Sequence, residues 1–216
     1  MAVTPFDSPL YGPLFADPEI AALFSDAAEL DALVRVERAL ARAEGRLGVI
    51  PEAAGRAIDK ALDGLAVDPA SLAEGTRSSG VALPGLVKDL RKAVGGEAAQ
   101  FVHWGATSQD VADTALAIRL ASVLDRLDAH LEALIGLLAE MAERHRRTVM
   151  AARTRTQIAV PTTFGLRAAG WLAPLIRHRE RLRQARPRIL MVQFGGAGGT
   201  ASAIGSDGVR VMGALA

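Results

Sequence analysis

The chain has 216 residues, with 25 Lys+Arg against 24 Asp+Glu, half of them hydrophobic and 23% charged, which is the composition of an ordinary folded chain of one or two domains. It contains no cysteine, which excludes disulfides, thiolate metal sites, Fe–S clusters and a cysteine nucleophile, and suits a reducing cytoplasm. A formal net charge of +1 provides no field that would argue for nucleic acid or an anionic membrane as partner.

The N-terminal stretch MAVTPFDSPLYGPLF has neither a basic segment nor a continuous apolar one, so no secretory signal is predicted, and no apolar run is long enough to span a bilayer. Aromatic residues are scarce while Ala, Leu, Arg and Glu dominate, which favours close-packed helices. Residues 1–18 carry Pro5, Pro9, Pro13 and Pro18 with Gly12, a spacing that predicts an extended arm whose Phe6, Leu10, Tyr11, Leu14 and Phe15 need cover. From Glu19 to Leu47 apolar positions recur at helical spacing, with a break near Ser25–Asp26 and a stop at Gly48. Pro51 starts a shorter helix to about Leu62, Asp68–Pro69 is a cap signal for one or two further turns, and Leu83 to Val94 reads as a helix ended by Gly95–Gly96.

The strongest periodic segment runs from Ser108 to about Arg147, with Val111, Ala115, Ile118, Val123, Leu127, Leu131, Leu134, Ile135, Leu138 and Met141 on one stripe. At 1.5 Å per residue it makes a rod of roughly 60 Å, typical of an elongated helical bundle. A further helix is predicted from Pro161 to about Ala185, with a kink at Pro174 and a basic distal end from Arg177 to Arg188. Asp207 signals the start of one more helix, whose apolar pattern has only begun when the sequence stops, so the expectation is the front portion of a longer bundle protein.

Four segments could carry chemistry. His103-Trp104-Gly105-Ala106-Thr107-Ser108-Gln109-Asp110 lies at the start of the longest helix, where free N–H groups, the dipole and two hydroxyls make a carboxylate or phosphate site. The plainer alternative is that Thr107 or Ser108 only caps the helix and Asp110 only complements its dipole. Arg153-Thr154-Arg155-Thr156-Gln157 offers two guanidiniums with hydroxyl and amide donors; if extended, Arg153 and Arg155 share a face toward an anion, and otherwise the segment is a solvated basic loop. Thr76-Arg77-Ser78-Ser79-Gly80 reads as a turn that could close on a ligand. Gly196-Ala197-Gly198-Gly199-Thr200-Ala201 fits a dinucleotide fingerprint, but without βαβ units a glycine-rich loop between helices explains it better. The basic run 177–188 lacks interleaved aromatic residues, so a solvated helix end or an oligomer contact outranks nucleic acid. His130, His145 and His178 lack the spacing of metal ligands, so no metal site is predicted.

Together FVHWGATSQDVADTAL at 101–116, ARTRTQIAVPTTFGLRAAGWLAPL at 152–175 and QFGGAGGTASAIGSDG at 193–208 resemble the fumarase/aspartase superfamily, and most closely its 3-carboxy-cis,cis-muconate cycloisomerase branch. The resemblance implies an all-α subunit, an elongated bundle cut within its central helical domain, divided into 1–105 (N-terminal helical domain with the arm) and 106–216 (first part of the long-helix domain). It implies a homotetramer with each site built from three subunits, acting without cofactor on a small tricarboxylate, to which the composition and spacing add a cytoplasmic home, no metal and no nucleic-acid or membrane partner. The reaction implied is lactonisation of 3-carboxy-cis,cis-muconate to 4-carboxymuconolactone. By carry-over, Thr107, Ser108 and Gln109 bind a substrate carboxylate, His103 lines the site, Thr154 and Gln157 sit in a second wall, and Ser79 belongs to a third segment, while Arg153 and Arg155 are the anion-binding pair read from the residues themselves. The superfamily's signature loop with its catalytic serine is expected beyond residue 216, so the catalytic residue is unknown here. Arg155 stands where many lyases of the superfamily carry histidine, and is a charge clamp rather than an acid; Ile158 likewise replaces a polar residue. The alternatives are an adenylosuccinate-lyase-like β-elimination enzyme, which histidines at 155 or 158 would favour, and a non-catalytic oligomerisation fragment.

Overall fold

The computed structural model describes residues 4–216. The chain divides into two compact units, one formed by residues up to 120 together with 190–216 and the other by 121–189. These units cut the chain elsewhere than the boundary we propose between residues 105 and 106. No helix among the described residues is long and apolar enough to cross a membrane.

In the first unit the arm is not extended. A 3₁₀ turn at Pro5–Asp7 and a four-residue helix α1 (Gly12–Phe15) precede α2 (Pro18–Leu23), because prolines at the first position of a turn fit its fixed φ. The arm's Phe6, Leu10, Tyr11, Leu14 and Phe15 are exposed, so the cover expected for them is not supplied by this chain; the rest of the arm prediction, at residues 1–3, lies outside the described residues. The break foreseen near Ser25 is real: its hydroxyl accepts from the N–H of Ala28 and starts α3 (Asp26–Leu47), which ends on Gly48 at φ 74°. Helix α4 (Glu52–Ala61) packs closely on α3, and a Cβ on Gly55 would stand 2.6 Å from the carbonyl oxygen of Ala41. Helix α5 (Pro69–Ser79), capped by Asp68, is three turns long rather than one or two, and it absorbs the predicted turn at Thr76–Ser79 with Gly80 as its left-handed end. Helix α6 (Leu83–Val94) follows as expected. Leu30, Leu33, Val36, Ile58, Leu62, Leu72, Leu86 and Leu90 form the core between these helices, together with Val102, Val111 and Ala115. Burying each such side chain contributes about 1.5–3 kcal/mol, so this core carries most of the unit's stability. The tail returns here: Leu40 of α3 packs against Phe194 and against Val211 of α9 (Gly208–Leu215), the helix foreseen after Asp207.

Helix α7 runs over Ser108–Arg144. In the second unit a β-hairpin replaces part of the helix expected from Pro161. Strand β1 (Val149–Thr154) pairs antiparallel with β2 (Gln157–Thr163), with Thr154 opposite Gln157 and an irregularity between Ala151 and Arg153. Pro161 sits in β2, where a two-stranded edge tolerates it, and α8 begins only at Phe164 and ends at Ile189, with Pro174 and Pro187 inside it. Among the described residues the regular structure is thus helical apart from one hairpin. Gly165 lets the hairpin rejoin α7, since a Cβ there would lie 2.5 Å from the carbonyl oxygen of Ala142. Phe164 stacks edge-on against both His145 and Trp171. At the basic end of α8, Arg177, Arg181, Arg183 and Arg188 are exposed, while Arg179 and Arg186 turn to α7. Arg179 forks onto Asp128 at 2.8 and 3.0 Å and reaches Glu132, and Arg186 pairs with Asp125, all on α7.

Candidate active site

In the first unit, the segment from Val102 to Gln109 is built as a strained loop entering a helix. His103 and Gly105 have φ of 65° and 68°, a left-handed conformation that costs a histidine of order 1 kcal/mol or more and persists only where surroundings impose it. The restraint begins with the buried Val102, whose carbonyl accepts a bond from the Arg91 guanidinium. Trp104 stacks on Phe101, and Gly105 has no room for a Cβ, which would stand 2.7 Å from Ile204.

Asp110 is the centre of the arrangement. It is buried, and its two oxygens accept from three backbone N–H groups: Thr107 at 3.0 Å, Gly195 at 3.0 Å and Gly196 at 2.8 Å. Thr107 precedes the helix and Asp110 is its third residue, so the bond to Thr107 is the reaching-back half of a capping box. Four residues on, the Thr114 hydroxyl donates to the Gln193 carbonyl and accepts from its N–H. The glycine-rich segment 195–199 is therefore a loop stapled to the start of α7, not a dinucleotide fingerprint. Asp110 does more than complement the dipole. It holds the helix start, and the Thr107 and Ser108 hydroxyls take part in no hydrogen bond among the described residues. Both are half-buried, while Gln109 is exposed and donates to Asp113 at 2.6 Å.

His103 is held from the other side by Glu37 of α3, with Nδ1 2.6 Å from Oε1. Glu37 and Glu44, one stripe along α3, are buried side chains facing the core. The Glu44 carboxyl has no hydrogen-bond partner among the described residues, and burial followed by repulsion from Glu37 pushes it up to about 8. Sequence reasoning missed both. The signal was available, because Glu37 and Glu44 fall at core-facing positions among Leu30, Leu33, Leu40 and Leu47, where an unpaired charge is costly.

Ser79 lies at the end of α5, its hydroxyl within 2.8 Å of the Gly75 and Val81 carbonyls. The remaining candidates are in the second unit. Arg153 and Thr154 close β1, Arg155 and Thr156 make the turn with Thr156 at φ 66°, and Gln157 opens β2, all five exposed. Arg155 stands in the turn, so the two arginines do not share a strand face as the fully extended reading required. Among the described residues no group of three or more His, Asp or Glu side chains is placed to hold a metal ion.

Residues 15–216 match a protein family described as Lyase. The chain belongs to this lyase family. Among curated members, it is 46% identical over 213 residues to the 3-carboxy-cis,cis-muconate cycloisomerase of Bradyrhizobium diazoefficiens, covering 97% of the chain and 47% of that protein. It is 45% identical over 199 residues to the nitrosuccinate lyase of Streptomyces davaonensis, covering 90% of the chain and 41% of that lyase. The crystal structure of the 3-carboxy-cis,cis-muconate lactonizing enzyme from Pseudomonas putida superposes with a TM-score of 0.91 at 40% identity, over 96% of this chain and 48% of that one. The lyase fold seen here is that of the fumarase/aspartase superfamily. The chain spans about half the length of the lyase-family proteins it matches.

Proposed function

We propose that this chain is part of a 3-carboxy-cis,cis-muconate cycloisomerase, an intramolecular lyase forming 4-carboxymuconolactone in the protocatechuate branch of the β-ketoadipate pathway. The observation that supports this most is the start of α7, where Asp110 takes over the helix cap and leaves the Thr107 and Ser108 hydroxyls unengaged beside His103. In the reaction one substrate carboxylate oxygen bonds to an alkene carbon. The displaced electron pair moves onto the neighbouring carbon and its carboxylate, and a proton then closes the step. The binding residues must hold a tricarboxylate and neutralise the enolate-like charge that builds up. Thr107, Ser108, Gln109 and His103 suit one carboxylate, Arg153, Thr154, Arg155 and Gln157 a second, and Ser79 a third segment. Such proteins are homo-oligomers acting on small molecules; we assign this one to cytoplasmic tetramers whose sites are shared between subunits and need no cofactor.

A β-elimination on a substituted succinate is the second reading, favoured by the similarity to the nitrosuccinate lyase; a non-catalytic oligomerisation role is the third. Loss of the conjugated-diene absorbance of 3-carboxy-cis,cis-muconate on adding the full-length protein supports the cycloisomerase. No loss, with turnover of nitrosuccinate or adenylosuccinate instead, transfers the site to elimination. Binding without any turnover leaves the oligomerisation role.

A further inference from the structure

We propose that Glu37 is a positioning residue for His103, accepting the Nδ1–H of its imidazole so that Nε2 carries the lone pair and meets the ligand. The inference rests on the reading above for its functional meaning, but its geometry stands independently of it. The contact is short, 2.6 Å, as expected when the acceptor is charged. Glu37 is only 2% exposed, and its second oxygen has no partner, so the imidazole is the one hydrogen-bonding group that this carboxylate meets among the described residues. His103 accepts a left-handed backbone, φ 65°, to reach it.

Glu37 and Glu44 are both buried on one helix face, and among the described residues only one of them meets a hydrogen-bonding group. Glu37 has the donor in His103, whereas both oxygens of Glu44 are unpartnered. The upward shift of Glu44 agrees with this division. In the arrangement proposed the bond runs from Nδ1–H to Oε1, because a carboxylate only accepts. Nε2 then carries the lone pair, and no residue described here occupies it. A histidine oriented this way can take a proton at Nε2 and present it to an anionic ligand while Glu37 compensates the imidazolium charge.

The test is the tautomer itself, read from long-range ¹H–¹⁵N correlations of ¹⁵N-histidine-labelled protein in the alkaline range where the ring is neutral, with His103 assigned through His103→Asn. The neutral ring in the wild-type protein is expected to favour Nδ1–H by more than about tenfold. Glu37→Gln, which keeps a carbonyl acceptor, is expected to retain that tautomer. Glu37→Leu, which keeps volume but offers no acceptor, is expected to reverse it toward Nε2–H. A wild-type ring protonated on Nε2, or a Glu37→Leu ring unchanged from wild type, overturns the proposal, and the wild-type arm decides even if a variant fails to fold. Adding 3-carboxy-cis,cis-muconate separates the two readings. If the tautomer is as proposed but no tricarboxylate moves the Nε2 resonance, His103 is not in the binding site and the functional assignment fails, while the Glu37 role stands.

Discussion

Asp110 and Gly196, 86 residues apart in the chain, are joined by a 2.8 Å hydrogen bond from the glycine N–H to a buried carboxylate oxygen. Gly196 is at φ 67°, and a Cβ there would stand 2.9 Å from the Gly105 carbonyl oxygen, so two tight loops are held edge to edge by one acidic side chain. Replacing Asp110 by Asn substitutes an N–H₂ donor for one oxygen and faces it toward backbone donors. Asp110→Asn is expected to cost about 2–4 kcal/mol in urea unfolding, whereas Asp113→Asn, on the exposed side of α7, is expected to stay within about 0.5 kcal/mol. Equal losses in the two variants would remove Asp110 from this structural role.

Much of this arrangement could be read from the residues, and the failures have physical reasons. The caps Ser25, Asp68 and Gly48 and the apolar stripes of α3, α6 and α7 are local signals, and the structure uses them as such. The hairpin was hidden because no residue of β1 or β2 is fully buried, which leaves only a weak alternation, and because Pro161 resembles a helix start. Thr76–Ser79 looked like turn chemistry because hydroxyls that compete for backbone groups disfavour helix interiors. Here the hydroxyls of Thr76, Ser78 and Ser79 donate back to carbonyls within their own helix. The fastening of 193–196 by Asp110 and Thr114 joins segments too distant in sequence for any spacing rule to reveal.

The close approach of α3 and α4 predicts opposite signs for two glycine substitutions. A Cβ on Gly55 meets the Ala41 carbonyl at 2.6 Å and the Gly45 Cα at 3.2 Å, both backbone atoms that can move only if the helices part. Gly55→Ala is expected to destabilise by about 1–3 kcal/mol. Gly75, inside α5, has nothing within 4 Å of the same position. Gly75→Ala is expected to stabilise by about 0.5–1 kcal/mol, since alanine loses less backbone entropy in a helix. Thermal midpoints moving in the same direction for both would contradict the packing described.

In the second unit Leu127, Leu134, Leu137 and Met141 of α7 and Trp171 and Ile176 of α8 are all exposed, an apolar surface that a solitary chain would not ordinarily present to water. The proposed oligomer would cover it. Leu134→Lys with Leu137→Lys is expected to reduce the mass measured by light scattering from that of an assembly to that of one chain, with helical circular dichroism largely kept. An unchanged mass would place the subunit contacts elsewhere.

Glu44 predicts a pH dependence whose sign can be worked out. Its carboxyl titrates near its ordinary 4.5 when unfolded and about 8 when folded. Between those values the folded chain binds the extra proton, so stability falls as pH rises, by up to about 1.4 kcal/mol per pH unit. The contribution is fully present below pH 4.5 and lost as pH passes through about 8. Glu44→Gln keeps the shape without an ionisable group, so its urea midpoint is expected to exceed that of wild type at pH 9 and to vary less between pH 6 and 9. Groups away from Glu44 are common to both proteins and cancel in the difference, while the repulsion from Glu37 is part of the effect measured. Parallel profiles for wild type and variant would mean that Glu44 is solvated and ionised throughout.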